Sequence, residues 1–165
     1  MYLVVYAEAS AGLYPGHMVV GQETSDGSAS YFGFRFNPVE LPSDRRSPIH
    51  WQEFFASNAV PGTIVDESGY VRHLLRSDDR KVYEKRVECS VELRPALPSA
   101  DRWNPHAWYS FYPDTEHPGR VPCYNCVKWA IVVANSLLAN FLPDVPQGRL
   151  KLALQHLQLI RPKAP

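Results

Sequence analysis

Apolar residues crowd the start of the chain without a break, from Tyr2 and Leu3 through Val4, Val5, Tyr6 and Ala7. A short continuous apolar run that ends in turn residues predicts a buried strand. It covers residues 2–7, and the loop after it carries Gly12, Pro15 and Gly16. Residues 17–22 predict a second strand that opens on His17, and residues 29–36 a third, rich in aromatics. Asp26-Gly27 lies between these two and marks a hairpin turn. A polar, proline-broken loop follows over 37–48. Trp51, Phe54 and Phe55 then recur at helical spacing and predict one short helix within 49–59.

Residues 61–67 read as a turn entering a short strand. Val82, Val87, Val91 and Leu93 alternate with charged residues, which predicts a strand over 82–93, bulged and wet on one face. Residues 94–120 are irregular, with prolines, glycines and the aromatics Trp103, Trp108, Tyr109, Phe111 and Tyr112. So long an irregular stretch points to a functional wall or lid. The clearest helix begins at Cys126. Trp129, Ala130, Val133 and Leu137, with Ala134, Leu138 and Phe141, recur every three or four residues, and Pro143 ends the pattern near residue 142. Residues 150–160 fit either a helix or a strand. Together these elements predict an α+β fold: an antiparallel sheet packed against a helix that carries Cys126 at its N-terminus.

A chain of 165 residues fits one domain over 1–165, large enough to bury a core without staples. Seventeen basic and seventeen acidic residues cancel, so charge gives no footprint for nucleic acid or an anionic membrane. Arg72, Arg76, Arg80, Lys81, Lys85 and Arg86 read as a solvated basic face balanced by nearby acids. The opening apolar run lacks a basic leader, which favours a strand over a signal peptide. Asn135 and Asn140 interrupt the longest apolar helix, so no integral membrane segment is expected. A soluble protein follows, either cytoplasmic or exported by a dedicated secretion apparatus.

Cys126 carries the chemistry. A thiol in the first turn of a helix sits beside unpaired N–H groups and the positive end of the dipole, and both favour the thiolate. The same N–H groups are placed to hold an oxyanion. A thiol nucleophile needs a base, usually histidine. Of His17, His50, His73, His106, His117 and His156, only His17 stands at the edge of a rigid element. His106 and His117 lie in the long loop before Cys126 and offer a less fixed alternative. Cys123 and Cys126 also form a C-x-x-C pair. A second ligand pair for zinc is lacking, and the late position is unlike a thioredoxin motif. No metal and no cofactor are expected.

Gly16-His17-Met18-Val19-Val20 on an early strand, Tyr31-Phe32-Gly33-Phe34 on the next, and Asn125-Cys126-Val127-Lys128-Trp129-Ala130 opening a late helix resemble the circularly permuted papain-like hydrolases. These are relatives of the NlpC/P60 cell-wall peptidases and of lecithin:retinol acyltransferase. Gly62-Thr63-Ile64-Val65-Asp66-Glu67 is similar to a strand recurrent in bacterial toxin-type members. The likeness spans roughly residues 13–142. It implies Cys126 as nucleophile, His17 as base, and a thiolate attack on a carbonyl through an acyl-enzyme. Asn125, Tyr31 and Trp108 are then expected around the substrate or oxyanion.

The family's third, polar residue on the strand beside the histidine is not matched. That strand offers Ser28, Ser30, Tyr31 and Arg35, with Glu23 and Glu67 as the other options. Glu67 is preferred because a carboxylate best stabilises an imidazolium. The resemblance implies a peptide or peptidoglycan-like substrate, peptidase or amidase action as a bacterial secreted effector or toxin, and an immunity or carrier protein as partner. The alternatives are a lipid acyl hydrolase or acyltransferase, a binding module that grips a partner through the aromatic loop, and a redox protein using Cys123 and Cys126.

Overall fold

The computed structural model describes residues 1–93, 107–113 and 122–161. Its strands are β1 (Tyr2–Glu8), β2 (His17–Glu23), β3 (Ala29–Phe36), β4 (Val60–Asp66), β5 (Val82–Glu88), β6 (Trp108–Tyr109), β7 (Cys123–Tyr124) and β8 (Gln158–Arg161). The helices are α1 (Trp51–Phe55), α2 (Ser68–Arg76), α3 (Cys126–Leu137) and α4 (Leu150–Leu154). The strands form one sheet in the order β7-β6-β4-β3-β2-β1-β5-β8. Its pairings are antiparallel except between β6 and β7. The protein is α+β.

β1 lies near the centre of the sheet and is apolar on both sides because both faces are covered. Leu3 and Val5 join Met18, Val20, Phe34 and Trp129 on the face packed by α3. Val4 and Tyr6 join Val19, Tyr31, Val71 and Leu74 on the face packed by α2. Successive side chains in a strand point to opposite faces, so one unbroken apolar run serves two cores. Full burial of one such side chain contributes about 1.5–3 kcal/mol, and Leu3, Val4 and Val5 are all inaccessible to solvent.

The predicted hairpin of β2 and β3 is present, with Gly27 in the left-handed conformation at its turn. The helix expected within 49–59 shortens to α1. The segment expected to begin as a turn at Pro61 is already extended from Val60. The strand expected over 82–93 stops at Glu88, because the Gln22 amide captures the chain beyond it. Its Nε2 donates to the Val91 carbonyl at 2.7 Å and its Oε1 accepts the Leu93 N–H at 2.9 Å. The expected bulge falls at Val82/Tyr83, against β8. The C-terminal segment contains both elements it was expected to choose between, α4 and then β8.

Two further expectations are corrected. α3 ends at Leu137, not near 142. The Asn135 amide donates to the Leu142 carbonyl at 2.7 Å and its Oδ1 accepts the Leu142 N–H at 2.9 Å. That clamp turns the chain back through Asn140, which has a positive φ of 60°. The basic face is not simply solvated either. Arg80 pairs with the buried Glu8, and Arg86 pairs with Glu23 at 2.6 Å. Most of the aromatic wall expected over 94–120, with Trp103, His106 and His117, lies outside the described residues.

Among the described residues no helix is long and apolar enough to cross a membrane.

Candidate functional site

β2 and β3 pair only as far as Val20–Phe32. Beyond that point they part, and the N-terminus of α3 stands at the opening. Alternation places His17 on the α2 side of the sheet with Val19, while Cys126 belongs to the core on the α3 side. The two meet where the strands separate. The Met18 N–H, left without a β3 partner by the split, donates to the Cys126 sulfur.

His17 is held from both ends. Its Nε2 lies 2.7 Å from Glu67 Oε1, and its side chain also hydrogen-bonds the Cys126 thiol. With Nε2 taken by the carboxylate, Nδ1 is the nitrogen left for sulfur. The Tyr70 ring stands edge-on to the imidazole, with centroids 5.2 Å apart. Tyr70 is itself fixed by its hydroxyl, which donates to Glu8 Oε2 at 2.7 Å.

Glu67 occupies the N-cap position of α2 but makes no capping bond; its side chain turns to the site instead. Arg35 grips it as a fork, with Nε 2.6 Å from Oε1 and Nη2 3.2 Å from Oε2. The carboxylate crosses β3 directly over Gly33, where any Cβ would strike Oε1. A glycine at this position is therefore what lets the acid reach the histidine.

Tyr109 is the neighbour that sequence reasoning missed. Its hydroxyl hydrogen-bonds the Cys126 sulfur and accepts the Cys126 backbone N–H. The ring is fixed by stacking on Phe34 at 5.7 Å and by Phe36 at 4.9 Å.

The electrostatics follow from these contacts. Burial alone would push the Cys126 thiol up. The His17 imidazolium, its hydrogen bond, the Met18 N–H and the Tyr109 hydroxyl together outweigh burial and hold the thiol below its ordinary value. Burial pulls His17 down, but the Cys126 thiolate and the Glu67 hydrogen bond raise it above the usual imidazole value. Burial raises Glu67, yet hydrogen bonds from His17 and Arg35 leave its carboxyl below the usual range. Opposite shifts in a thiol and an imidazole that touch favour passage of the thiol proton to the ring. Cys126, His17 and Glu67 are 8 %, 4 % and 3 % exposed, so little water screens them.

Thus the structure brings together Cys126, His17 and Glu67, and places three other expected residues elsewhere in role or position. Asn125 is a cap and a tie rather than an oxyanion donor. Its Oδ1 accepts the Lys128 N–H at 2.7 Å, and its Nδ2 donates to the carbonyls of Phe111, Gln147 and Gly148 at 3.1–3.3 Å. The chain passes so close that a Cβ on Gly148 would sit 2.7 Å from Asn125 Oδ1.

Tyr31 points into the α2-side core, where its hydroxyl donates to Glu23 Oε1 at 2.6 Å. Glu23 closes the far end of β2, six residues and about 20 Å from His17. Trp108 precedes Tyr109 on β6, and alternation turns it away from the sulfur. Among the other described histidines, His50 ends a short 3-10 turn before α1, His73 lies in α2 and His156 follows α4.

No disulfide joins Cys89, Cys123 or Cys126. Among the described residues no three histidines, cysteines or acids gather as a metal site. Comparison with known proteins finds no matching family model, no matching curated protein and no matching solved structure.

Proposed function

We propose that this protein is a cysteine-dependent hydrolase of an amide or ester bond, with a permuted papain-like arrangement of sheet and helix. One observation carries the reading. The imidazole of His17 is shared between a buried carboxylate on one nitrogen and a thiol at a helix N-terminus on the other. A structural cysteine has no need of a lowered pKa, an imidazolium beside it and a bidentate arginine behind the acid.

The steps follow from these groups. The Cys126 thiolate attacks the substrate carbonyl carbon, forming a C–S bond and moving charge to the carbonyl oxygen. The hydroxyl of Tyr109 and the N–H of Cys126, which meet beside the sulfur, are the donors assigned to that developing charge. As the intermediate collapses, the bond to the leaving amine or alcohol breaks, and the His17 imidazolium gives it a proton. Water then gives a proton to neutral His17 and attacks the thioester carbonyl; the acid departs and the ion pair is restored. Glu67 fixes the ring and stabilises its charged form, while Arg35 keeps Glu67 ionised.

A peptide or peptidoglycan-like amide is the substrate class the motif resemblance favours, in an effector or toxin setting. Incubating the protein with peptidoglycan fragments and peptide amides and reading the products by mass spectrometry tests the chemistry. New carboxyl termini should form with the native chain and not with Cys126→Ala or Cys126→Ser. Undiminished product from either variant overturns the reading.

A further inference from the structure

The imidazole of His17 has a second carboxylate beside it that it does not use. Glu8 ends β1 and is the direct cross-strand partner of His17 on β2. Glu8 stands two residues beyond Tyr6 and His17 two before Val19, so alternation puts both side chains on the α2 side of the sheet. Cβ atoms paired in this way lie about 4.5–5.5 Å apart, and opposite charges at such positions attract. Glu8 is 3 % exposed and His17 4 %. The ring nevertheless bonds Glu67, which arrives from the start of α2.

Both oxygens of Glu8 are already taken. Oε1 pairs with the Arg80 guanidinium, and Oε2 accepts the Tyr70 hydroxyl at 2.7 Å. Tyr70 follows Glu67 by three residues, the spacing that sets two side chains next to each other on a helix. Its ring stands at 81° to the imidazole, with centroids 5.2 Å apart, and the Arg35 guanidinium lies over it at 5.2 Å. The Tyr14 hydroxyl bonds Tyr70 as well. Tyr70 thus touches the imidazole, the acid the imidazole does not use, and the arginine that grips the acid it does use. The described walls of the cleft beside Cys126 do not include Tyr70, so its link to the chemistry runs through His17.

Resting on the hydrolase reading above, we propose that Tyr70 is a positioning residue for His17. By holding Glu8 with its hydroxyl, it leaves Glu67 as the one acid on the imidazole and keeps the other ring nitrogen turned to Cys126. The charged and titratable groups around the imidazole are Glu8 from β1, Arg35 from β3, Glu67 and Tyr70 from α2 and Cys126 from α3. Tyr14 and Tyr109 join them through Tyr70 and Cys126. Of these, only Glu8 is an acid able to draw the ring away from Glu67. A buried carboxylate oxygen that loses its donor is costly until it finds another. For Glu8 the imidazole N–H directly across the strand pair is such a donor, and a ring captured there leaves both Glu67 and the sulfur.

The test compares Tyr70→Phe, Glu8→Gln and the double variant. Three quantities are read: the ring-nitrogen NMR signals of His17, identified by their loss in His17→Ala; the pH midpoint of iodoacetamide alkylation at Cys126; and hydrolysis of p-nitrophenyl acetate. Tyr70→Phe keeps the ring and removes one oxygen. Its His17 signals should shift and its alkylation midpoint should rise toward the ordinary thiol value. Its kcat should fall about 10- to 100-fold with KM little changed. Glu8→Gln by itself should be the mildest of the three changes. Added to Tyr70→Phe, it removes the competing charge, so the double variant should recover most of the lost rate and the native midpoint. Packing damage at Tyr70 predicts the reverse, a double variant at least as impaired as the single one. Arg80→Ala, at a half-open surface position, frees the other oxygen of Glu8 and should act in the same direction as Tyr70→Phe.

Native His17 signals and a native midpoint in Tyr70→Phe, as when water takes the freed Glu8 oxygen, overturn the proposal and leave the hydrolase reading standing. So does a double variant that recovers nothing. A native chain that leaves the ester intact, while its His17 signals and midpoint move in Tyr70→Phe and return in the double variant, removes the hydrolase reading and upholds the role of Tyr70.

Discussion

The carboxylate of Glu67 lies across the bare Cα of Gly33, and that overlap sets its distance from the imidazole of His17 at 2.7 Å. The obstacle to any larger residue at 33 is the end of a side chain, not backbone, so Gly33→Ala should fold and displace Glu67. His17 then loses the partner that stabilises its charge, and Cys126 loses part of the imidazolium that stabilises its own. Activity should fall about 10- to 100-fold, the usual cost of removing a residue that orients a reactive side chain. The pH range of thiol alkylation should narrow from both ends. A variant with the native profile would detach Glu67 from the chemistry.

His17 sets the state of the thiol in a second, more direct way. Replacing it by alanine leaves burial, which raises the thiol pKa, with less to oppose it. The midpoint of iodoacetamide alkylation at Cys126 should move from below the ordinary thiol value of about 8.5 to near or above it. Mass spectrometry can follow Cys126 separately from Cys89 and Cys123. A midpoint that stays put in His17→Ala would mean that the helix terminus alone lowers the thiol, and that His17 is not its partner.

Glu67 also ties the site to acid stability. Its folded pKa is depressed below the unfolded carboxylate value of about 4.3. The stability it contributes is therefore present above that value and is lost as pH falls through the lower, folded one. Urea titrations at pH 7 and at pH 3 should show this loss in the native chain. Glu67→Gln should remove that part of the slope, while at pH 7 it leaves the Arg35 charge unpaired. Arg35 is partly open to water, which limits the penalty to about 1–2 kcal/mol. An unchanged acid slope in Glu67→Gln would place the depressed carboxyl elsewhere.

These contacts were legible in the sequence to different depths. β1 to β3 follow from an unbroken apolar run and a turn dipeptide, signals that no tertiary contact overrides. Cys126 and His17 could be paired because one opens a helix and the other a strand. Glu67 was preferred on charge alone; Gly33, the residue that makes its reach physically possible, gives no signal without the neighbouring strand. α2 was missed although Tyr70, Val71, Leu74 and Leu75 have helical spacing, because Arg72, His73 and Arg76 between them read as a wet surface. Tyr109, which meets the sulfur, stands one residue beyond the Trp108 expected near the substrate. In a strand only two residues long, nothing in the sequence sets which side chain faces inward. The ties of Asn125 were not legible, since the carbonyls that occupy its amide come from remote segments.

Asn125→Ala separates that structural task from chemistry. It removes a helix cap, typically worth about 1 kcal/mol, and the donor to three carbonyls. The loss should be about 1–3 kcal/mol in urea unfolding, larger than a cap alone. Once folded, the variant should keep a lowered Cys126 pKa, because His17, Met18 and Tyr109 still surround the sulfur. Full stability with lost reactivity would reverse the assignment and return Asn125 to the oxyanion.

Tyr109 is the sharpest test of how the charge moves. In the resting site its hydroxyl bonds the sulfur, where negative charge lies once the thiol ionises. When sulfur attacks, that charge passes to the carbonyl oxygen, and a hydroxyl beside both positions can follow it. Tyr109→Phe keeps the ring stacked among Phe34, Phe36 and Phe55 and removes only the oxygen. If the hydroxyl serves the thiolate alone, the alkylation midpoint rises modestly and kcat falls in proportion to the lost thiolate. If it also serves the oxyanion, kcat should fall about 10²- to 10³-fold, as when one oxyanion donor is removed, far beyond that proportion. KM should change little, since the interaction forms only in the transition state. The alkylation midpoint and kcat measured on the same variant distinguish the two, and the second outcome is expected, because the hydroxyl already meets the Cys126 N–H that would share the oxyanion with it.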